Sequence, residues 1–158
     1  MTEIEAKRIG SVQALFAVRI GLLIAQLIMT LLYSGGGFIK GFFWFMTFPY
    51  KLNIVIGVII MLLSGHFFGQ IAGKAILIKK QNYILVGVLC GIAILLTTAF
   101  LSSWTGYFQE GINSNSSTYS SFQSYIISPF ITISFFGILP VFIAGIWFGH
   151  QVKRFKNP

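Results

Sequence analysis

The sequence predicts an all-α membrane protein: four transmembrane helices forming two helical hairpins in parallel orientation, with the N and C termini cytoplasmic. Three observations predict it. Hydrophobic residues make up 56% of the 158 residues and charged residues only 9%, whereas a soluble domain carries roughly a quarter charged. The apolar residues are gathered into four runs, each close to the ~20 residues that cross ~30 Å of hydrocarbon. The basic residues stand at the ends of those runs, and their distribution is lopsided.

The first run extends from Val12 to Tyr33 and is interrupted by Arg19 and Gln26. A secretory leader has an apolar core of only ~7–15 residues before a small-residue cleavage site. Ser34-Gly35-Gly36-Gly37 imitates such a site, but the run is too long and too polar at Arg19 and Gln26, so a retained helix is expected. The second run spans Leu52 to Gly73, the third Tyr83 to Ser103 and the fourth Tyr125 to Phe148. Each is expected to be helical, because lipid offers no partner to an unpaired backbone group. Pro140 falls inside the fourth run and removes one backbone hydrogen bond, so a kink is expected there.

The connections differ in character. Residues 34–51 combine the glycine run with Phe42-Phe43-Trp44-Phe45 and Pro49-Tyr50, a composition suited to the lipid–water boundary. Residues 74–82 form a short loop with Lys74, Lys79 and Lys80, and residues 104–124 are polar, rich in Ser and Asn, and free of Lys and Arg. Lys7, Arg8, the short loop, Lys153, Arg154 and Lys156 put eight bases on one side, and Arg19 leans the same way; only Lys40 and Lys51 lie on the other. The positive-inside rule makes the basic side cytoplasmic. Loops 34–51 and 104–124 then lie outside. Asn115-Ser116-Ser117 matches a glycosylation sequon, but the Ile, Phe, Lys and Ser usage is bacterial in character, where the sequon is idle. The expected location is the inner or plasma membrane of a bacterium.

The second and fourth runs end alike. Gly65-His66-Phe67-Phe68-Gly69-Gln70 before Gly73-Lys74 resembles Gly145-Ile146-Trp147-Phe148-Gly149-His150 before Lys153-Arg154, at an offset of 80 positions. The first and third align less well, around Gly21 and Gly91. This suggests an internal duplication about an axis along the membrane normal; the alternative is shared composition at cytoplasmic helix ends. Gly65, Gly69 and Gly73 share one helical face, as do Gly145 and Gly149, and small residues at this spacing let helix backbones approach closely.

Ionisable groups at membrane depth are functional candidates. Arg19 is expected roughly 10 Å deep, at ~1.5 Å of rise per residue, and His66 at a similar depth from the same side. Gln70 follows His66 by one turn and Gln26 follows Arg19 by two. A polar cluster of Arg19, Gln26, His66 and Gln70 is therefore expected in the cytoplasmic half, suited to an anion, a lipid headgroup or a partner's carboxylate. The structural alternatives are a snorkelling Arg19 and a His66 satisfied by neighbouring polar groups.

The acids are three, Glu3, Glu5 and Glu110, against eleven bases, and there is no Asp. No acid lies in any run, which argues against carboxylate-dependent membrane catalysis. There is no His-Glu-x-x-His, and two isolated histidines, His66 and His150, do not make a zinc site. The single cysteine, Cys90, excludes dithiol chemistry within the chain and reads as a small buried hydrophobe. The positive charge is spread over helix ends rather than one face, so nucleic acid is not expected as a partner. No cofactor is expected either. The expected partners are the lipid bilayer and another membrane protein or a second copy. The expected role is a non-catalytic accessory subunit or assembly factor of a larger membrane complex. The rivals are a small oligomeric transporter or channel, and an immunity-type protein against a membrane-active peptide.

Overall fold

A computed structural model describes residues 1–33, 35, 37–47, 51–111 and 118–155. The described residues are helical almost throughout and contain no strand. In order they form α1 (Glu3–Leu32), α2 (Phe38–Phe42), α3 (Trp44–Thr47), α4 (Lys51–Leu77), α5 (Tyr83–Gly106), a π-helical turn (Tyr107–Gly111), α6 (Thr118–Phe122), a second π-helical turn (Gln123–Ile127) and α7 (Ser128–Arg154). Four of the helical segments are long and apolar enough to span a membrane. Ser34, Gly36, Pro49-Tyr50, the Asn113–Ser117 stretch with its sequon, and Lys156 lie outside the described residues.

The helices outrun the apolar runs. α1 begins nine residues before Val12, at a capping box in which Thr2 N–H donates to Glu5 Oε2 (2.8 Å) and Glu5 N–H donates to Thr2 Oγ1 (3.3 Å). This satisfies two backbone donors that a helix start otherwise leaves open. α4 runs past Gly73 to Leu77, so the turn to α5 is shorter than the 74–82 loop suggests. Lys80, at φ 55°, reverses the chain, and Asn82 caps α5 by accepting from Ile84 N–H at 3.0 Å. α7 stays helical through Pro140.

Two backbone seams organise the helices. In the first, α1 meets α4 antiparallel through Ala6, Gly10 and Ala14 on one side and Gly69 and Gly73 on the other. A Cβ added at Gly10 would fall 2.6 Å from Gly73 Cα, and one at Gly69 would fall 2.5 Å from Ala14 Cβ and 2.8 Å from Gly10 O. In the second, α5 meets α7 through Tyr83, Gly87, Gly145 and Gly149. A Cβ at Gly87 would fall 3.0 Å from Gly149 Cα, and one at Gly145 would fall 2.8 Å from Gly87 O and from Val88 Cα. Backbones this close leave no room for any side chain, which is why glycine stands at these positions.

The contacts revise the register of the internal likeness. Gly69 sits against Gly10 O and Ser11 Cα as Gly145 sits against Gly87 O and Val88 Cα; Gly73 sits against Gly10 Cα as Gly149 sits against Gly87 Cα. Gly69 thus corresponds to Gly145, and Gly73 to Gly149, one helical turn away from the alignment at offset 80. Gly10 corresponds to Gly87, and the alignment of Gly21 with Gly91 fails: a Cβ at Gly21 would meet nothing within 4 Å, while one at Gly91 would meet Val141 Cγ1 at 2.9 Å. Gly65 is a looser position, with only Val18 Cγ2 at 3.1 Å and other side-chain carbons near 4 Å.

One buried core cluster lies at the end of the molecule that carries Lys7, Lys74 and Lys153, while Leu95, Ala99 and Ile126 are buried elsewhere. Ala6, Ala14, Ala72, Ile76, Leu77, Cys90, Phe148 and Val152 form the cluster. Beyond Val18, which packs toward Gly65 of α4, α1 is more open. From Arg19 to Ile28, α1 is exposed or half-exposed at every position, and α7 exposes Phe135, Phe136, Leu139 and Ile143.

Candidate functional site

The structure joins two of the four predicted polar residues. His66 and Gln70 stand one turn apart on α4, and Gln70 Nε2 lies 2.7 Å from His66 Nε2. With that amide N–H donating to Nε2, the ring proton sits on Nδ1, which donates to Ser11 Oγ on α1 at 2.7 Å. Ser11 is buried at 5% exposure, beside Gly10 on the seam, so the bond is possible because the two helix backbones are already in contact. Both ring nitrogens of His66 are therefore satisfied, as a polar group at membrane depth requires.

Arg19 and Gln26 are elsewhere. Arg19 is exposed, and no hydrogen bond joins it to His66 or Gln70 among the described residues. Its neighbour Val18 is buried and packs toward Gly65 of α4, so α1 still meets α4 at this depth and Arg19 falls on the exposed face of the helix. Gln26 fastens α2 and α3 to α1 instead: its Nε2 donates to Phe42 O at 2.8 Å and its Oε1 accepts from Trp44 Nε1 at 3.0 Å. Tyr33 stacks near the same indole at 6.0 Å. The predicted four-residue cluster thus comes apart: His66 and Gln70 stay together, Gln26 is taken up by α2 and α3, and Arg19, on the exposed face of α1, joins neither. The aromatic segment Phe42–Phe45 is held by Gln26 as two short helices, with Phe42 and Phe43 exposed.

Ser11 is the member that sequence reasoning missed. It lies one residue before the apolar run, where hydropathy gives no sign of burial. The signal that would have found it is the small-residue face Ala6-Gly10-Ala14, which marks this stretch of α1 as a helix contact.

Around Ser11, His66 and Gln70 lies a groove between α1 and α4. It comprises two adjoining open surface hollows of about 480 and 420 Å³ that share Lys7 and Gln70. Arg8, Lys74 and Lys79 border it, and Ile4, Val12, Leu15, Phe67 and Ile71 form its apolar walls. Glu3 bridges the rim, with Oε1 2.9 Å from Lys7 Nζ and 2.8 Å from Lys74 Nζ. The bond from Lys74, and then that from Lys7, holds the Glu3 carboxyl down at about 2. A lowered carboxylate favours the folded form above its ordinary pKa and loses that contribution as pH falls. The melting advantage of the native chain over Glu3→Gln is therefore expected to be full above about pH 4.5 and to vanish on approaching about pH 2. Added salt should shrink it too, since exposed pairs are screened. A melting gap between the two that is constant across that range would refute the bridge.

The chemistry offered is limited. Among the described residues no group of three His, Cys, Asp or Glu is placed to hold a metal ion. Cys90 is buried and unpaired, and His150 stacks near Tyr83 at 6.1 Å, beside Lys153, whose Nζ lies 4.3 Å from the centre of that ring. Ser11, His66 and Gln70 stand in a row in the groove, but with the Gln70 amide donating to Nε2 the ring proton lies on Nδ1, so the ring donates to Ser11 and does not take its proton. The arrangement suits binding. In comparison with known proteins, the chain matches no family model, no curated protein and no solved structure.

Proposed function

We propose that this chain is a non-catalytic, multi-pass protein of the bacterial cell membrane that acts as an accessory subunit or assembly factor by receiving a partner's transmembrane helix along α1. The basic end is cytoplasmic by the positive-inside rule, and both ends of the chain lie there. On this reading α1 with α4 and α5 with α7 are two hairpins in the same orientation.

Gly21 carries the proposal. The seam glycines Gly10, Gly69, Gly87 and Gly145 are each filled by a neighbouring backbone, yet Gly21 meets nothing within 4 Å. Glycine within a helix costs about 0.5–1 kcal/mol relative to alanine, and neither Gly21 nor the exposed Ala25 one turn on gains a packing contact in return. Small residues four apart on an open, apolar helix surface are what a second helix needs for close approach. Leu23, Ile24, Leu27 and Ile28 beside them are all at least half exposed.

Gly21→Leu tests this. The variant is expected to melt at or slightly above the native temperature in detergent, because nothing opposes the added side chain. It is also expected to lose the partner, or the second copy, that co-purifies after gentle extraction. Retention of the same assembly would overturn the proposal. A small oligomeric transporter is the second reading, favoured by the repeated seam, since duplicated halves are common in transporters; solute flux in liposomes holding this chain alone would support it instead.

A further inference from the structure

We propose that the groove between α1 and α4 is a binding site for the phosphate-bearing headgroup of an anionic phospholipid. Three observations carry it. The first is charge. Lys7, Arg8, Lys74 and Lys79 border the groove and Glu3 is the acid at its rim. Glu3 occupies Lys7 and Lys74 together and leaves that trio one positive charge in excess. Arg8 and Lys79 are exposed, and among the described residues no carboxylate pairs with either. The groove therefore presents two unopposed cations and a residual third, which matches an anion and opposes a cation.

The second observation is directional hydrogen bonding. Ser11 accepts the proton of His66 Nδ1 and retains its own O–H to donate. Gln70 uses one amide hydrogen on His66 and has a second. These are two neutral donors in the groove with basic side chains around them, a set suited to phosphate oxygens. The third is the wall. Leu15 and Val12 on α1, and Phe67 and Ile71 on α4, continue the groove along the apolar helix surfaces. Val12, Phe67 and Ile71 are each more than half exposed. A free anion uses only the basic rim, whereas a phospholipid uses rim and wall together, and basic pockets between helices at a cytoplasmic surface are the usual seat of such headgroups.

The site rests on the functional reading above only in placing this end at a membrane surface. Its test uses the purified chain and needs no partner, so the two readings fail separately. The native chain in a neutral detergent is titrated with short-chain phosphatidylglycerol, short-chain phosphatidylcholine or inorganic phosphate, with melting temperature and lipid retention in native mass spectrometry as readouts. Phosphatidylglycerol is expected to raise the melting temperature and to remain bound as one molecule per chain; phosphatidylcholine and inorganic phosphate are expected to do neither. The double variant Arg8→Gln with Lys79→Gln is expected to bind more than about tenfold more weakly, because each base near a membrane surface contributes roughly a fivefold factor. Both side chains are exposed, so the variant should fold. Arg154→Gln, which removes a base from the same end outside the groove, is expected to bind as the native chain does. Equal binding of phosphatidylcholine, equal stabilisation by phosphate alone, undiminished binding by the double variant, or an equal loss in Arg154→Gln would each overturn the site.

Discussion

Replacing Gly69 with leucine is expected to destabilise the protein by about 3 kcal/mol, near the upper end for overpacked interiors, and to lower its melting temperature in detergent by roughly 10 °C. The first added carbon would lie 2.5 Å from Ala14 Cβ, 2.8 Å from Gly10 O and 3.1 Å from Ser11 Cα. Two of these are backbone atoms in the middle of a helix, so the strain cannot be relieved by rotating a side chain. α1 and α4 must separate, and the Ser11–His66 bond, which spans the seam, lengthens with them. Lost protection of the Ser11 region against hydrogen exchange would accompany the fall in melting temperature. A Gly69→Leu protein that melts like the native chain would mean that the two helices do not meet at this glycine.

The long helices were legible because lipid-length apolar runs have few alternatives: 18 or more apolar residues exceed what a buried soluble helix or strand requires. Their ends were not legible. Hydropathy locates where lipid would stop, whereas the helix continues until its backbone bonding is capped, at Thr2 for α1 and beyond Gly73 for α4. That difference hid Gly10 and Ser11, which lie before the apolar run yet pack into the α1–α4 seam, Ser11 also making the hydrogen bond from α1 to His66.

The polar cluster was half legible for a related reason. Gln70 follows His66 on the same helix, and spacing alone places them together. Joining Arg19 and Gln26 to them needs the crossing geometry of two helices, and equal depth does not supply it. α1 still meets α4 at Val18 and Gly65, but Arg19 falls on the exposed face of α1 and Gln26 is bonded to α2 and α3. Gln26 was free to be used by α2 and α3, whose indole and carbonyl meet both ends of its amide.

The internal likeness shows how a single helix leaves register undetermined. Gly65, Gly69 and Gly73 offer two ways to match Gly145 and Gly149, and the aromatic pairs favour the one that the contacts reject. Only the partner helices decide, through Gly10 and Gly87. The choice has a measurable consequence. Gly145→Leu is expected to cost as much as Gly69→Leu, about 3 kcal/mol, because its added carbon would lie 2.8 Å from both Gly87 O and Val88 Cα. Gly65→Leu is expected to cost far less, on the order of 1 kcal/mol or below. Its nearest obstruction is Val18 Cγ2 at 3.1 Å, with the other close atoms also side-chain carbons, and the leucine restores helix propensity that glycine lacks. Were the two seams matched at offset 80, Gly65 and Gly145 would be counterparts and the two substitutions would cost the same. Melting temperatures of the three leucine variants in one detergent separate the registers: Gly69 and Gly145 grouped together with Gly65 apart supports the contact register, and Gly65 grouped with Gly145 refutes it. The seams belong to different helix pairs and share no partner residue, so the Gly69→Leu, Gly145→Leu double variant should lose the sum of the single losses to within about 0.5 kcal/mol.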